Sequence, residues 1–419
     1  MARKMKDSGI AWIGEIPEDW NAQKLKYCTD FIQEKYDNTL GELNYIGLEN
    51  IVSGNGEFVK TESQYDKMQS LVFQKDDILF GKLRPYLAKV YHCVETGCCS
   101  GEFCVIRVNE SHDIRYFWNL LISSGFIDTV NFSTYGTKMP RANADFIKNI
   151  YIPIPPLDEQ NRLAAFLDEK CAHIDAVIEK TRASIDEYKK LKQAIITRAV
   201  TKGLRQGRKM KDSGIEWIGE IPQEWEARRI KTLFRLRDER NSLPLEQVNL
   251  ISLYTDKGVI QHSDIEKTTG NKASHADGYK KVYQNDIVVN IILCWMGAIG
   301  RSDYDGVTSP AYDVYVPSEE IDSRFYHHYF RTSGFSGDCY KRGKGIMAMR
   351  WRTYSDQFRD IRVVMPPLNE QCEILSYLDA KTAAIDRLIA KKEQLIAEMQ
   401  SCKKSLIYEV VTGKREVAI

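Results

Sequence analysis

The chain has 419 residues, 43% of them apolar and 28% charged, with 59 Lys and Arg against 58 Asp and Glu for a formal net charge of +1. That length suits two or three domains with ordinary cores, and the balanced charge excludes a uniformly basic nucleic-acid binder, so any such site must be a local patch. No long apolar run suggests a membrane span, and the basic start MARKMKDSGIAWIG lacks the apolar core of a signal peptide, so a cytoplasmic protein is expected.

In chain order, the first element is a lead-in, RKMKDSGIAWIGEIPEDW, from Arg3 to Trp20. It returns as RKMKDSGIEWIGEIPQEW from Arg208 to Trp225, with three of eighteen positions changed. Such self-similarity marks an internal duplication. After each lead-in comes a divergent part. NYIGLENI, DDILFGKL and CVIRV in the first half, and DIVVNIIL and YDVYV in the second, are β-rich runs flanked by Gly, Asp or Asn. DIRYFWNLLISSG and SRFYHHYFRTSG predict short helices ending near glycine. Faint echoes persist: QKDDIL at Gln74 answers YQNDIV at Tyr283, and SSGFID at Ser123 answers TSGFSG at Thr332.

Within the divergent parts, Cys93, Cys98, Cys99 and Cys104 cluster beside His92. Their irregular spacing and the strand-like alternation of GEFCVIRV point to buried reduced thiols rather than a zinc site, and no metal is expected. The loops carry local positive charge. FGKLRPYLAK holds Lys82, Arg84 and Lys89, and YGTKMPRANADFIK holds Lys138 and Arg141. At the matching place in the second half, YKRGKGIMAMRWR holds Lys341, Arg342, Lys344, Arg350 and Arg352 with no acid. Gly and Pro let such loops approach a phosphate backbone, Lys and Arg can hold phosphates, and Arg can read guanine with two hydrogen bonds. These cations, Lys89 apart, are the candidate DNA-binding residues; the alternative is an ordinary basic surface loop.

Each half closes with a second repeated segment. PPLDEQNRLAAFLDEKCAHIDAVIEK starts at Pro155 and PPLNEQCEILSYLDAKTAAIDRLIAK starts at Pro366. The proline pair blocks a helix before it, Asp158 and Asn369 suit the N-cap, Glu159 and Glu370 suit the positive end of the helix dipole, and Gly203 and Gly413 suit the helix ends. Apolar residues recur in steps of four and three: Cys171, Ile174, Ile178, Thr181, Ile185, Tyr188, Lys192, Ile195 and Ala199, then Thr382, Ile385, Ile389, Lys392, Ile396, Met399, Lys403, Leu406 and Val410. This is a heptad seam. Leu191, Leu388 and Leu395 are expected to widen it. Lys192 and Lys403 share one seam position, where lysine either fixes register or packs its stem and snorkels outward. Helices of about 44 residues would be roughly 65 Å long. Two from one chain can bury each other's seams, antiparallel if a pseudo-twofold axis relates the halves. The segments are therefore 1–153, 154–204, 205–364 and 365–419.

Catalytic signatures are missing. IPPL and MPPL lack the Asp or Asn and the aromatic of an amino-methyltransferase loop. No G-x-x-x-x-G-K-[ST] phosphate loop and no H-E-x-x-H pair occurs, and GAIG at Gly297 is too short for a dinucleotide fingerprint. Asp168, Glu169 and Lys170 spell a nuclease-like triplet, but on a repeated helix they read as a solvated face. His327 and His328 are adjacent and diverge in direction. No catalytic residue is assigned.

The GEIPEDW and GEIPQEW lead-ins, the PPLDEQ and PPLNEQ helix starts and the duplicated layout resemble the specificity subunit of type I restriction–modification systems, over essentially the whole chain. The resemblance implies an α+β fold: two mixed α/β target-recognition domains separated by a long antiparallel two-helix coiled coil, with internal pseudo-twofold duplication. It implies a non-catalytic subunit that reads a bipartite site in double-stranded DNA. Its partners would be two modification (adenine methyltransferase) subunits and, through the complex, restriction subunits carrying the motor and nuclease. This chain would hold no cofactor; S-adenosylmethionine, ATP and Mg would belong to the partner subunits. The alternatives are the specificity segment of a fused restriction–methylation enzyme, which should show catalytic motifs, and a coiled-coil scaffold that does not read DNA.

On this reading the helices are a ruler. Four residues inserted in register near Thr181 lengthen the helix by about 6 Å. At about 3.4 Å per base pair, the spacer between half-sites should grow by one or two base pairs with the half-sites unchanged. Methylation mapping checks this, and an active variant with the original spacer would disprove it.

Overall fold

The computed structural model describes residues 3–36, 43–61, 70–262, 275–345 and 351–417. The chain forms two compact units, residues 1–182 with 392–419, and residues 183–391. Each unit takes one globular part and one half of each long helix.

The two globular parts share a plan. In the first unit a hairpin, Met5–Ile10 with Gly14–Pro17, precedes a strand Asn21–Lys24 that pairs with Tyr151–Ile154. In the second, Met210–Asp212 pairs with Glu220–Pro222, and Glu226–Arg229 pairs with Arg362–Met365. Between these closures lies an antiparallel four-stranded sheet. Its order in the first unit is Thr29–Ile32, Phe103–Val108, Ile78–Gly81, Val90–His92. In the second it is Phe234–Leu236, Tyr312–Pro317, Ile287–Asn290, Ile299–Arg301. The order is the same although the sequences have diverged, because strand alternation and buried volume, rather than residue identity, set the pairing. Of the expected β-runs, NYIGLENI gives only a two-residue strand, Tyr45–Ile46, and then a 3-10 turn.

The expected short helices form, Ile114–Ile122 and Ser323–Phe330, capped by Asp113 and Asp322. Their ends differ from expectation. Gly125 and Gly334 do not terminate them; they lie in the first turn of a following helix, Ser124–Phe132 or Ser333–Arg342. The reason is packing. A Cβ at Gly125 would strike the Trp12 ring, and one at Gly334 would strike the Trp217 ring, so the lead-in tryptophans require glycine there. The other echo is also structural. Asp76 and Asn285 adopt left-handed backbone (φ 67° and 76°). The next residues, Asp77 and Asp286, are buried and accept backbone N–H bonds from Gln74 (2.7 Å) and Tyr283 (2.9 Å). Both carboxylates meet an arginine, Arg107 (2.8 Å) from strand Phe103–Val108 or Arg237 (2.8 Å) just after strand Phe234–Leu236.

The long helices span Leu157–Lys202 and Leu368–Val411. Asp158 and Asn369 are therefore inside the first turn and are not N-caps, because the helix starts directly after the second proline of each pair. Gly203 and Gly413 follow the helices with φ of 72° each, the left-handed stop expected of glycine. In each unit the starting half of one helix lies antiparallel to the final half of the other. Leu163, Ala164 and Leu167 share the first unit's core with Leu406, Ile407, Val410 and Val411. Ile196, Ala199 and Val200 share the second unit's core with Ile374, Leu375 and Leu378. All eighteen seam positions are buried or half-buried.

The seam lysines do not simply snorkel. Lys403 Nζ donates to Asp175 Oδ1 (2.8 Å) and Oδ2 (2.6 Å) in the first unit, and Lys192 Nζ to Asp386 Oδ1 and Oδ2 (both 2.7 Å) in the second. The two lysines are 211 residues apart and so are the two aspartates, so one Lys–Asp bridge is used twice. The aspartates are about half exposed, so each bridge adds under about 1 kcal/mol and acts mainly on register. Leu191, Leu388 and Leu395 do not widen the seam; they are 49%, 43% and 36% exposed on the outer faces.

The repeated phrases meet at one carboxylate per unit. Trp20 Nε1–H donates to Glu159 Oε2 (2.9 Å), and Arg3 donates to both oxygens (2.5 and 2.9 Å) with its guanidinium 5.5 Å from the Trp20 ring centre. Trp225, Arg208 and Glu370 repeat this at 2.8, 2.5 and 3.2 Å, with the guanidinium 5.6 Å from the ring centre. The adjacent glutamines also act alike. Gln160 donates to Pro155 O (2.9 Å) and accepts from Asp113 N–H (3.0 Å), and Gln371 donates to Pro366 O (2.8 Å) and accepts from Asp322 N–H (2.8 Å). Glu159 and Glu370 thus serve the lead-in more than the helix dipole. Glu159→Ala should strand Arg3 and the Trp20 N–H and cost about 3 kcal/mol, while Asp19→Ala, which removes only Arg3's exposed partner, should cost under about 1 kcal/mol. Denaturant unfolding of the two variants checks this; equal losses would reduce the clasp to a surface ion pair.

Candidate nucleic-acid interface

In the first unit two loops run side by side, one after strand Ile78–Gly81 and one after helix Ser124–Phe132. Arg84 N–H donates to Pro140 O (2.7 Å), Ala142 N–H donates to Lys82 O (2.9 Å), and Leu83 bridges to Arg141. Arg84 and Ala88 flank the Pro85–Leu87 turn in left-handed backbone, with φ of 50° and 47°. Two non-glycine residues in that region store strain at the loop. This geometry gathers Lys82, Arg84, Lys138 and Arg141. Their charges are not equally free. Arg141 donates to Glu102 (2.5 Å), the buried Arg84 Nε has no hydrogen-bond partner, Lys82 is half-buried, and Lys138 stands exposed.

The second unit repeats the loop pair. Lys344 and Arg352 exchange backbone bonds (2.9 and 3.0 Å), as Tyr135 and Arg141 do (3.3 and 3.1 Å), and Thr353 N–H donates to Ile291 O (2.9 Å). Arg350 lies outside the described residues. Lys341 and Arg342 end the helix Ser333–Arg342. Lys341 donates to Glu216 (2.6 Å), and that bond raises the lysine pKa and lowers the glutamate's. Tyr340 stacks on Trp351 (4.9 Å, 20°) and accepts the Trp351 N–H at its carbonyl (3.1 Å). Arg331 fixes the neighbouring loop by donating to Ile299 O (3.2 Å), Thr255 O (3.0 Å) and Asp256 O (2.8 Å).

Apolar side chains are exposed on the same loops as the cations. Tyr86, Phe132, Tyr135 and Met139 are 52%, 94%, 63% and 60% exposed in the first unit, and Met296 and Tyr340 are 53% and 49% exposed in the second. Aromatics interleaved with Lys and Arg were a readable signal; their exposure was not. The first loop also differs in charge between units: KLRPYLAK has three cations, whereas its counterpart ILCWMGAIG has none.

Other candidate chemistry is accounted for locally. Cys93, Cys98, Cys99 and Cys104 are buried thiols, and burial raises Cys104 to about 11 and pushes Cys93 and Cys99 further up. Among the described residues, no group of three or more His, Cys, Asp or Glu could hold a metal. Asp168 bonds Arg115 (3.0 Å) and Glu169 bonds Lys170 (2.9 Å). Burial lowers the His327 pKa to about 3, and the ring accepts the Arg301 N–H (3.2 Å). Among the described residues, no helix is long and apolar enough to cross a membrane.

Comparison with known proteins agrees with this architecture. Residues 17–187 match the family model described as "Type I restriction modification DNA specificity domain". The MjaVIII specificity subunit of a type I restriction enzyme from Methanocaldococcus jannaschii is 22% identical, covering 96% of this chain and 94% of that protein. The EcoBI specificity subunit from Escherichia coli is 20% identical, covering 92% and 82%. In fold, the chain is similar to a chain from a study of complex assembly and conformational transition of the type I R-M system, with a TM-score of 0.71 at 18% identity over 96% of this chain and 99% of that one. The HsdS subunit from Thermoanaerobacter tengcongensis gives a TM-score of 0.53 at 18% identity, over 96% and 98%. Residues 17–187 thus match the type I restriction DNA specificity domain, and the chain is similar over more than nine-tenths of its length to the specificity subunits of type I restriction enzymes.

Proposed function

We propose that this chain is the non-catalytic DNA-reading subunit of a type I restriction–modification complex. Each unit's loop pair reads one half of a bipartite duplex target, and the long helices receive the modification subunits, one per repeat, with restriction subunits joining through the complex. S-adenosylmethionine, ATP and Mg would be held by those partners, in the cytoplasm. One observation carries the reading: the same Trp–Glu–Arg clasp, sheet order and paired loops occur twice, while the loops on that constant frame differ in residue and charge. A duplicated frame with divergent loops suits two different half-sites and one kind of partner. Among the described candidate cations, Lys138, Arg141, Lys341, Arg342, Lys344 and Arg352 are exposed, and in this role they contact DNA, as do Lys82, Arg84 and Arg350.

The purified chain alone should transfer no methyl group and cut no DNA; with modification subunits it should methylate one bipartite sequence. In that complex Lys138→Ala or Arg352→Ala should act in one of two ways. Loss of a phosphate contact weakens binding to all sequences and lowers the salt slope by about one. Loss of a base contact relaxes one position by about 1–3 kcal/mol. Salt titration and methylome mapping separate the two; unchanged binding by both variants would remove them from the interface, and a complex without sequence-selective methylation would reject the function.

A further inference from the structure

Phe132 has the highest exposure, 94%, among the described large apolar residues. It is not on a frayed end. Its helix is anchored by buried Phe126, Ile127 and Val130. The C-terminus is closed by Ser133, whose N–H (3.2 Å) and hydroxyl (2.7 Å) donate to Val130 O, and by Thr134, whose N–H (3.1 Å) and hydroxyl (2.8 Å) donate to Asn131 O. A phenyl ring is thus held in solvent on a rigid support, and the adjoining loops expose Tyr86, Tyr135 and Met139 as well, so the apolar exposure is a group of side chains of the kind that marks a binding surface.

Its surroundings select the partner. Residues 132–141 hold Lys138 and Arg141 with no acid, and residues 82–89 hold Lys82, Arg84 and Lys89 with no acid. The two segments are joined by the Arg84–Pro140 and Ala142–Lys82 backbone bonds. Glu102 bonds Arg141 and leaves the surface positive. The two joined segments carry five cations, of which Lys89 donates to Leu48 O (2.6 Å) and Lys138 stands exposed; such a cationic loop pair complements the phosphates of a duplex, and an apolar side chain projecting from the helix that leads into it is the form of wedge that enters a base step and kinks DNA.

We propose that Phe132 enters the base stack of the DNA read by the first unit. The inference rests on the DNA-reading role proposed above. Unstacking is easiest at pyrimidine–purine steps, so Phe132 selects a deformable step in that half-site without hydrogen-bonding its bases. The matching helix in the second unit has Lys341 two positions after buried Cys339, as Phe132 stands two after buried Val130. At this helix position the first unit carries an aromatic wedge and the second a lysine.

The test uses the chain assembled with its modification subunits on its own methylation site, with DNA bending read by end-to-end fluorescence transfer. Phe132→Ala should lower specific affinity about ten- to a hundredfold, the range for loss of aromatic stacking on a base. It should also reduce the bend, leave non-specific affinity and complex mass unchanged, and relax one half-site only. Phe132→Leu, still a wedge, should keep most of the bend. Wild-type bend and affinity in Phe132→Ala would overturn the wedge while leaving the DNA-reading role intact. Loss of modification subunits from the Phe132→Ala complex would overturn it in favour of a protein-docking residue. A wild-type complex with no sequence-selective binding would instead reject the underlying function, and the wedge with it.

Discussion

An indole N–H donating to a buried carboxylate holds each unit together. Glu159 receives Trp20 and Arg3, and Glu370 receives Trp225 and Arg208. Each contact joins the entrance of a globular part to the first turn of a long helix, 139 or 145 residues further along the chain. A carboxylate taken out of water needs all its partners, and removal of one leaves a charge unmatched. Few substitutions in the lead-in or at the helix start are compatible with that demand. The glycines that stop the helices share it, because a Cβ at Gly413 would reach Pro17 and Trp20 and one at Gly203 would reach Arg208 and Trp225. The near-verbatim repeat in the sequence follows from this packing.

The helices add a second constraint, on register. Ile178, Thr181 and Ile185 are buried in the seam, as are Ile385, Leu406 and Val410 on the other helix, but apolar seams tolerate sliding by a heptad. The Lys192–Asp386 and Lys403–Asp175 bridges favour one alignment. Their exposure makes them weak as stabilisers and effective as discriminators, since an alternative alignment would leave a lysine in the seam without its aspartate.

Within this frame the loops are free to differ. Arg331 pins the second unit's loop through backbone carbonyls, and in the first unit the Trp118 N–H holds Val90 O (3.0 Å). Contacts to main-chain atoms do not depend on loop side chains, so the loop surface can exchange Lys82 and Arg84 for apolar residues without disturbing the sheet beneath.

The duplication, the two long helices, their seams and the glycine stops were legible in the sequence because each depends on a local period or a local backbone preference. So were the cationic loops, since charge is a property of composition. What Glu159 and Glu370 bind was not legible: their partners lie far along the chain, and a helix-dipole role looked sufficient. Gly125 and Gly334 looked like helix stops because only packing reveals the Trp12 and Trp217 rings above them. The outward position of Leu191, Leu388 and Leu395 was likewise hidden, because a heptad allows a broad stripe and only the paired helix decides which edge is covered. The exposure of Phe132 belongs to the same class. Sequence determined which residues are apolar, charged or conformationally free; tertiary structure decided which of them meet, because burial and long-range pairing are properties of the folded chain as a whole.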